Sequence, residues 1–275
     1  MVLLLDGPMG TELARRGVVL AGRAWTARAL DEAPEIVAAV HRDYADAGAT
    51  VHTTCTFRTQ RRSVGARWDE LAARAVAIAR ANVPAGHRVA GSIAPLEDCY
   101  RPDLSPGRAS RQEHRELARV LAREGVDLLL CETFPDAVEA VVAVEEAVGT
   151  GVETWVALTA GPDGALLSPS ELRDAARACV AAGARAVLVD CVAATRTGAY
   201  VERLADFGVP FGAYANAGSA EDAIGWSADA AQGASAYAGL ASAWVDAGAT
   251  IVGGCCGTGP EHIVALARTQ KTVRS

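Results

Sequence analysis

Eight short apolar runs, most of them rich in β-branched residues, recur along the chain, separated by longer stretches with apolar positions at helical spacing. The runs Val2–Leu5, Thr50–Thr54, Arg88–Ile93, Leu128–Cys131, Thr154–Thr159, Ala186–Val189, Pro210–Tyr214 and Thr250–Gly253 predict strands. The stretches Pro34–Asp46, Glu70–Asn82, Arg111–Arg123, Asp136–Ala147, Ser170–Ala181, Gly198–Phe207, Ala234–Asp246 and Pro260–Arg268 predict helices. Several helices end on a small-residue stop just before the next strand, as at Ala47-Gly48-Ala49, Glu124-Gly125, Ala182-Gly183-Ala184 and Ala247-Gly248-Ala249. Ser168-Pro169-Ser170-Glu171 has the composition of a helix start. The strand runs lack strict alternation, the pattern of a parallel sheet covered on both faces.

Eight strand–helix units in 275 residues match an α/β protein of the (β/α)8 TIM-barrel type. A doubly wound open sheet is the alternative, but it normally stops at about five or six strands. Gly7, Gly10 and Gly17 do not make a G-x-G-x-x-G loop, and no Walker pattern is present. No linker or repeat divides the chain, so residues 1–275 read as one barrel domain.

A hydrophobic content of 51% supplies ample core, and the net charge of −7 argues against nucleic acid or an anionic membrane surface as partner. Seven cysteines are too sparse for a disulfide scaffold and predict mostly reduced thiols in a cytoplasmic protein. Val2-Leu3-Leu4-Leu5 is too short for a secretory leader and runs straight into Asp6. No apolar stretch reaches the length of a membrane span.

The chemistry concentrates where barrel enzymes keep it, at the C-terminal ends of the strands. Strand one ends in Asp6-Gly7, strand two in Thr53-Thr54-Cys55, strand four in Glu132-Thr133 and strand six in Asp190-Cys191; strand seven leads into Asn216 and strand eight into Cys255-Cys256. Alone, the adjacent pair Cys255-Cys256 fits a metal site, an inert strand end or a vicinal disulfide. With Cys191 it makes a three-cysteine set suited to Zn2+ with one open position. Three thiolates leave such a centre a poor Lewis acid toward water but able to hold an incoming thiol as a thiolate. A free thiol, with a pKa of about 8.5, is mostly protonated near neutrality. The favoured chemistry is alkyl transfer to a thiol. Glu132 and Asp6 are placed to hold an ammonium group, and Thr54 with the N–H groups near Gly7 a carboxylate.

The remaining candidates have plainer readings. Cys131 and Cys179 fall on core positions, Cys99 lies near the mouth, and Cys55 sits beside the site but exceeds the ligand count. His41 and His114 fall on helices as surface or packing residues. His52 is interior to strand two, and His262 opens the last helix.

Several segments resemble the homocysteine S-methyltransferase family: Leu5-Asp6-Gly7-Pro8-Met9-Gly10-Thr11-Glu12-Leu13, Trp25-Thr26, Thr53-Thr54-Cys55-Thr56-Phe57, Gly91-Ser92-Ile93-Ala94-Pro95, Glu132-Thr133-Phe134, Tyr214-Ala215-Asn216-Ala217-Gly218 and Gly253-Gly254-Cys255-Cys256-Gly257-Thr258. The similarity runs from about residue 2 to residue 268. The resemblance implies a zinc-dependent barrel that makes methionine from homocysteine. It also implies Cys191, Cys255 and Cys256 as metal ligands and Asp6, Thr54 and Glu132 around the amino-acid part of homocysteine.

Departures from the family pattern bear on the donor and acceptor. The common Asn-Cys pair reads Asp190-Cys191, and Val192-Ala193-Ala194 replaces the prolines that often follow. Arg58 and Thr133 stand where betaine-using relatives carry aromatics, so a cage for a quaternary ammonium is missing. The expected donor is a sulfonium, S-methylmethionine or S-adenosylmethionine, with Trp25, Phe57 and Tyr100 as candidate contacts. Rival readings are another thiol or selenol acceptor, a separate corrinoid protein as donor, or a metal-free barrel with a Cys255–Cys256 disulfide.

Overall fold

The computed structural model describes residues 2–218, 222, 224–225 and 229–272. Eight strands form one parallel sheet: β1 (Leu3–Leu4), β2 (Val51–Thr53), β3 (Arg88–Ile93), β4 (Leu128–Phe134), β5 (Thr154–Leu158), β6 (Ala186–Ala193), β7 (Phe211–Asn216) and β8 (Ile251–Gly254). Neighbours in sequence are neighbours in space, and β1 also pairs with β8. A bridge between Leu5 and Val51 joins β1 to β2 and closes the ring. The molecule is a (β/α)8 barrel.

Strand alternation sorts the apolar side chains into two layers. One set, including Leu5, Val51, Leu128, Leu130, Trp155, Leu188 and Ile251, packs the barrel interior. The other, including Val89, Leu129, Val156, Val187 and Val189, packs against helix residues such as Val40, Tyr44, Leu117 and Val144. These helices are α1 (Met9–Arg15), α2 (Ala29–Glu32), α3 (Pro34–Asp46), α4 (Arg61–Val64), α5 (Trp68–Asn82), α6 (Arg111–Arg123), α7 (Ala137–Val148), α8 (Pro169–Ala181), α9 (Ala194–Val201), α10 (Ala230–Asp246) and α11 (Pro260–Thr272). Ser168 and Glu171 form a reciprocal capping box on α8, as their spacing predicts. Among the described residues no helix is long and apolar enough to cross a membrane.

The predicted elements depart from the observed ones at several ends, and two departures have a clear physical cause. The helix expected at Gly198–Phe207 is α9 at Ala194–Val201, followed by a separate 3-10 turn at Ala205–Phe207. The displacement follows from β6 running on to Ala193, whose carbonyl accepts the Thr197 hydroxyl at 3.0 Å. The second is α1, which lacks the apolar stripe that marks a helix in sequence. Its buried Glu12 instead pairs with Arg15 and Arg16.

Candidate active site

Cys255 and Cys256 follow the last residue of β8 in a turn fixed from three sides. Cys255 N–H donates to Ala215 O at 2.8 Å, and Ala217 N–H donates to Cys256 O at 2.9 Å, tying the turn to β7. Gly257 N–H donates to Thr11 Oγ1, and Arg15 donates to the carbonyls of Gly257 and Thr258, tying it to α1. The Tyr237 hydroxyl supports the floor by donating to Gly253 O at 2.7 Å.

Cys191 reaches the same place from an irregularity in β6. The pairing of β6 with β7 slips between Asp190 and Ala193, and Cys191 has φ +51°. A matching slip in β4 lies between Cys131 and Phe134, with Thr133 at φ +63°. Bulges of this kind re-aim side chains at the rims of barrels. The two are joined by the Thr133 hydroxyl, which donates to Asp190 Oδ2 at 2.7 Å. Asn216 Nδ2 donates to Cys191 O at 2.9 Å.

The Sγ atoms of Cys191, Cys255 and Cys256 lie within 4.8 Å of one another. Cys255 contacts Cys191 sulfur to sulfur, and Cys256 is free. The vicinal Cys255–Cys256 disulfide weighed from the sequence is therefore not formed; the turn after β8 brings Cys255 to Cys191 instead. Burial, with Asp190 nearby, pushes the Cys256 thiol up to about 11. Cys191, Cys255 and Cys256, in reduced form, are a donor set that a soft divalent metal would deprotonate and bind.

Two buried carboxylates face the same cavity. Asp6 accepts from Thr53 N–H at 2.8 Å and from the Thr53 hydroxyl at 3.0 Å. Burial nevertheless pushes its carboxyl up to about 8, with a smaller contribution from Glu132. Glu132 accepts from the Ser92 hydroxyl and from Tyr214 OH, the latter at 3.0 Å, and burial raises its carboxyl too. No Lys, Arg or His forms an ion pair with either carboxyl among the described residues, so both are open to a cationic ligand that would favour their ionised form. Gly7 lies alongside, and its N–H has no partner among the described residues. Thr54 lines the cavity, but its hydroxyl is committed. Thr56 Oγ1 donates to Ser92 O, so Thr54 Oγ1 donates to Thr56 Oγ1 at 2.8 Å while accepting from Ser92 N–H at 3.1 Å.

The cavity has a volume of about 470 Å³ and also takes in Trp25, Phe57, Arg58, Cys99 and Tyr100. Trp25 and Phe57 meet edge to face, with centroids 5.7 Å apart. Gly10 is required here, because a Cβ at that position would sit 2.6 Å from the Trp25 ring.

All the site residues read from the sequence thus line one cavity. Those that sequence reasoning passed over support them: Thr53 under Asp6, and Ser92 and Tyr214 around Glu132. Tyr214 stands in one of the family-like segments, but its place in an apolar strand reads as core. Cys131 and Cys179 are fully buried packing residues, and Cys55 donates to Thr26 O, away from the thiol set. His41 and His52 are buried behind Asp6, His52 paired with His87 at 3.0 Å. His114 pairs with Glu139, and His262 with the carbonyl of Ile224. Asp190 is fully buried beneath the cavity and does not line it.

The homocysteine S-methyltransferase family model matches residues 3–270. This chain belongs to the homocysteine S-methyltransferase family. Homocysteine S-methyltransferase of Escherichia coli (strain K12) is 34% identical, with 96% of this chain and 94% of that protein covered. The S-methylmethionine–homocysteine S-methyltransferase of Pongo abelii is 32% identical across 69% of this chain and 52% of its own length. Among solved structures, the metallated form of the homocysteine methyltransferase MmuM from Escherichia coli superposes with a TM-score of 0.81 at 29% identity, covering 98% of this chain and 96% of that one. The family reaction, methyl transfer to homocysteine, is the enzymatic activity of this barrel.

Proposed function

We propose that this enzyme takes its methyl group from a sulfonium, S-methylmethionine or S-adenosylmethionine, and that its metal is Zn2+ held by Cys191, Cys255 and Cys256 in their reduced form. The observation that carries the reading is one cavity holding three clustered thiols beside two buried carboxylates that lack a protein cation. Zinc, when bound, supplies the means to deprotonate an incoming thiol while its sulfur ligands keep it weakly acidic toward water.

The residues of the chain do the rest. Asp6 and Glu132 accept hydrogen bonds from the ammonium of homocysteine, with Ser92, Thr53 and Tyr214 fixing their orientation. Gly7 N–H takes the carboxylate, and Thr54 packs as wall. Trp25 and Tyr100 border the donor's sulfonium, while Phe57, covered by Arg58, backs Trp25. In the transfer, homocysteine has lost its thiol proton, and its sulfur forms a bond to the methyl carbon as the donor's S–CH3 bond breaks. The electron pair of that bond stays on the donor sulfur, which leaves as a neutral thioether. Much of the acceleration comes from holding the two sulfurs and the methyl carbon in line.

Two observations favour a sulfonium over betaine. Arg58 already lies over the Phe57 ring, 5.1 Å from its centroid, so Phe57 cannot serve as a wall of the aromatic cage that a quaternary ammonium needs. The Pongo abelii relative is named for S-methylmethionine. The test is a donor panel: metal-loaded enzyme with homocysteine and S-methylmethionine, S-adenosylmethionine or betaine, following methionine by mass spectrometry. Transfer from a sulfonium and none from betaine is expected. Transfer from betaine alone would overturn the donor assignment.

A further inference from the structure

Of the two cations on the cavity wall, Arg23 pairs with Glu97, and Arg58 forms no ion pair among the described residues. It follows β2 on the loop into α4 and faces the mouth of the cavity beside Glu97, Asp98, Cys99 and Tyr100. One guanidinium nitrogen, Nη1, donates to the carbonyls of Pro95 and Glu97, at 3.2 and 2.9 Å. Among the described residues, Nε and Nη2 have no hydrogen-bond partner, and Arg58 forms no ion pair. Of the neighbouring carboxylates, Glu97 is engaged by Arg23 and Arg62, and Asp98 attracts the guanidinium without forming an ion pair with it. Burial, the largest influence, depresses the Arg58 pKa, as expected of a cation short of compensation.

A guanidinium on a cavity wall, held by backbone carbonyls through one nitrogen with its Nε–Nη2 edge uncommitted, is a fork suited to a planar anion. The acceptor end of the cavity already has its two carboxylates at Asp6 and Glu132, where an ammonium belongs. Arg58 stands instead with the aromatic pair Trp25 and Phe57, on the side where a sulfonium is bordered.

We propose that Arg58 binds the α-carboxylate of the methyl donor, so that the donor must be an amino-acid sulfonium rather than a sulfonium of any kind. This rests on the sulfonium reading above and adds the carboxylate as a requirement. Arg58 thereby becomes a specificity-determining residue that favours a zwitterionic side arm and repels a donor whose cation would lie against Phe57.

The experiment is a substrate–mutant cycle on the metal-loaded enzyme. S-methylmethionine is compared with (3-aminopropyl)dimethylsulfonium, which keeps the sulfonium and the amine but lacks the carboxylate. In the wild type, loss of the carboxylate is expected to lower kcat/KM for the donor about 10- to 100-fold, the worth of a charge-assisted hydrogen bond. Arg58→Gln should lower kcat/KM for S-methylmethionine by a similar factor, leave the carboxylate-free donor nearly unaffected, and preserve metal content and the KM for homocysteine. Arg58→Lys, which retains a cation should the glutamine variant fold poorly, should keep part of the discrimination. Equal discrimination in the wild type and both variants overturns the proposal. So does a rise in the homocysteine KM alone, which would give the carboxylate at Arg58 to the acceptor. If neither sulfonium methylates homocysteine with wild-type enzyme, the sulfonium reading itself fails and this inference with it.

Discussion

The Thr133 hydroxyl donates to Asp190 Oδ2 at 2.7 Å, joining the bulged ends of β4 and β6, the two strands that deliver Glu132 and Cys191 to the cavity. Both strands leave regular geometry at a residue with positive φ, Thr133 and Cys191, where a side chain is normally disfavoured. The hydrogen bond helps hold that geometry. Asp190→Asn keeps an oxygen that can accept from Thr133 and should leave stability to urea nearly unchanged. Asp190→Ala leaves the buried hydroxyl unanswered and should cost about 1–3 kcal/mol, with reduced metal affinity through Cys191. Equal stability of the two variants would remove the tie between the bulges from the account.

The thiol set makes a second prediction, read as metal content. Cys191→Ala and Cys256→Ala should each lose metal and activity together. Cys179→Ser, at a packing position inside α8, should retain both. A fully loaded and active Cys191→Ala enzyme would contradict the ligand assignment.

The pH dependence of the ligand-free protein follows from Asp6. Its carboxyl is pushed up to about 8 in the fold, against about 3.9 in an unfolded chain. The folded state therefore holds the proton more tightly, and this contribution to stability is complete below about pH 4. It is lost as pH rises through about 8, by up to about 1.4 kcal/mol per pH unit. Urea denaturation of metal-free protein across that interval should show stability falling with pH, and less steeply in Asp6→Asn. The KM for homocysteine should fall over the same interval, since an ammonium pairs with the ionised form. Parallel stability curves for the two proteins would show that Asp6 does not carry the effect.

Gly10 and Gly198 offer a paired test of close packing. A Cβ at Gly10 meets the Trp25 ring at 2.6 Å, whereas one at Gly198 meets nothing within 4 Å. Gly10→Ala should displace Trp25, cost about 1–3 kcal/mol and raise the donor KM. Gly198→Ala, inside α9, should be neutral or stabilising by up to about 1 kcal/mol, with unchanged kinetics. An unaltered donor KM in Gly10→Ala would take Trp25 out of the donor site.

The barrel is legible in the sequence because its signal is local: apolar runs at strand length, amphipathic stretches between them, and glycine stops. The predicted bounds of α3 and α6 coincide with those observed. Rim chemistry is legible for the same reason, since Asp6, Glu132, Cys191 and Cys255 sit at or beside the ends of apolar runs. What stayed hidden is non-local. Nothing near Thr133 or Cys191 announces a positive φ, because a bulge is imposed by the neighbouring strands rather than by the residue. The Ser92 and Tyr214 bonds to Glu132 span 40 and 82 residues. The unpaired donors of Arg58 emerge only once Glu97 is seen to be engaged by Arg23 and Arg62.

The most direct test of the central claim is isotopic. Enzyme carrying one zinc per chain would be given homocysteine labelled with 13C in its carbon chain and S-methylmethionine with deuterated methyl groups, beside a metal-stripped sample and Cys191→Ala. Methionine bearing both the 13C chain and one deuterated methyl is expected from the loaded enzyme, and none above background from the other two. Equal label transfer in all three samples, or none from a folded and fully loaded enzyme, would contradict that claim.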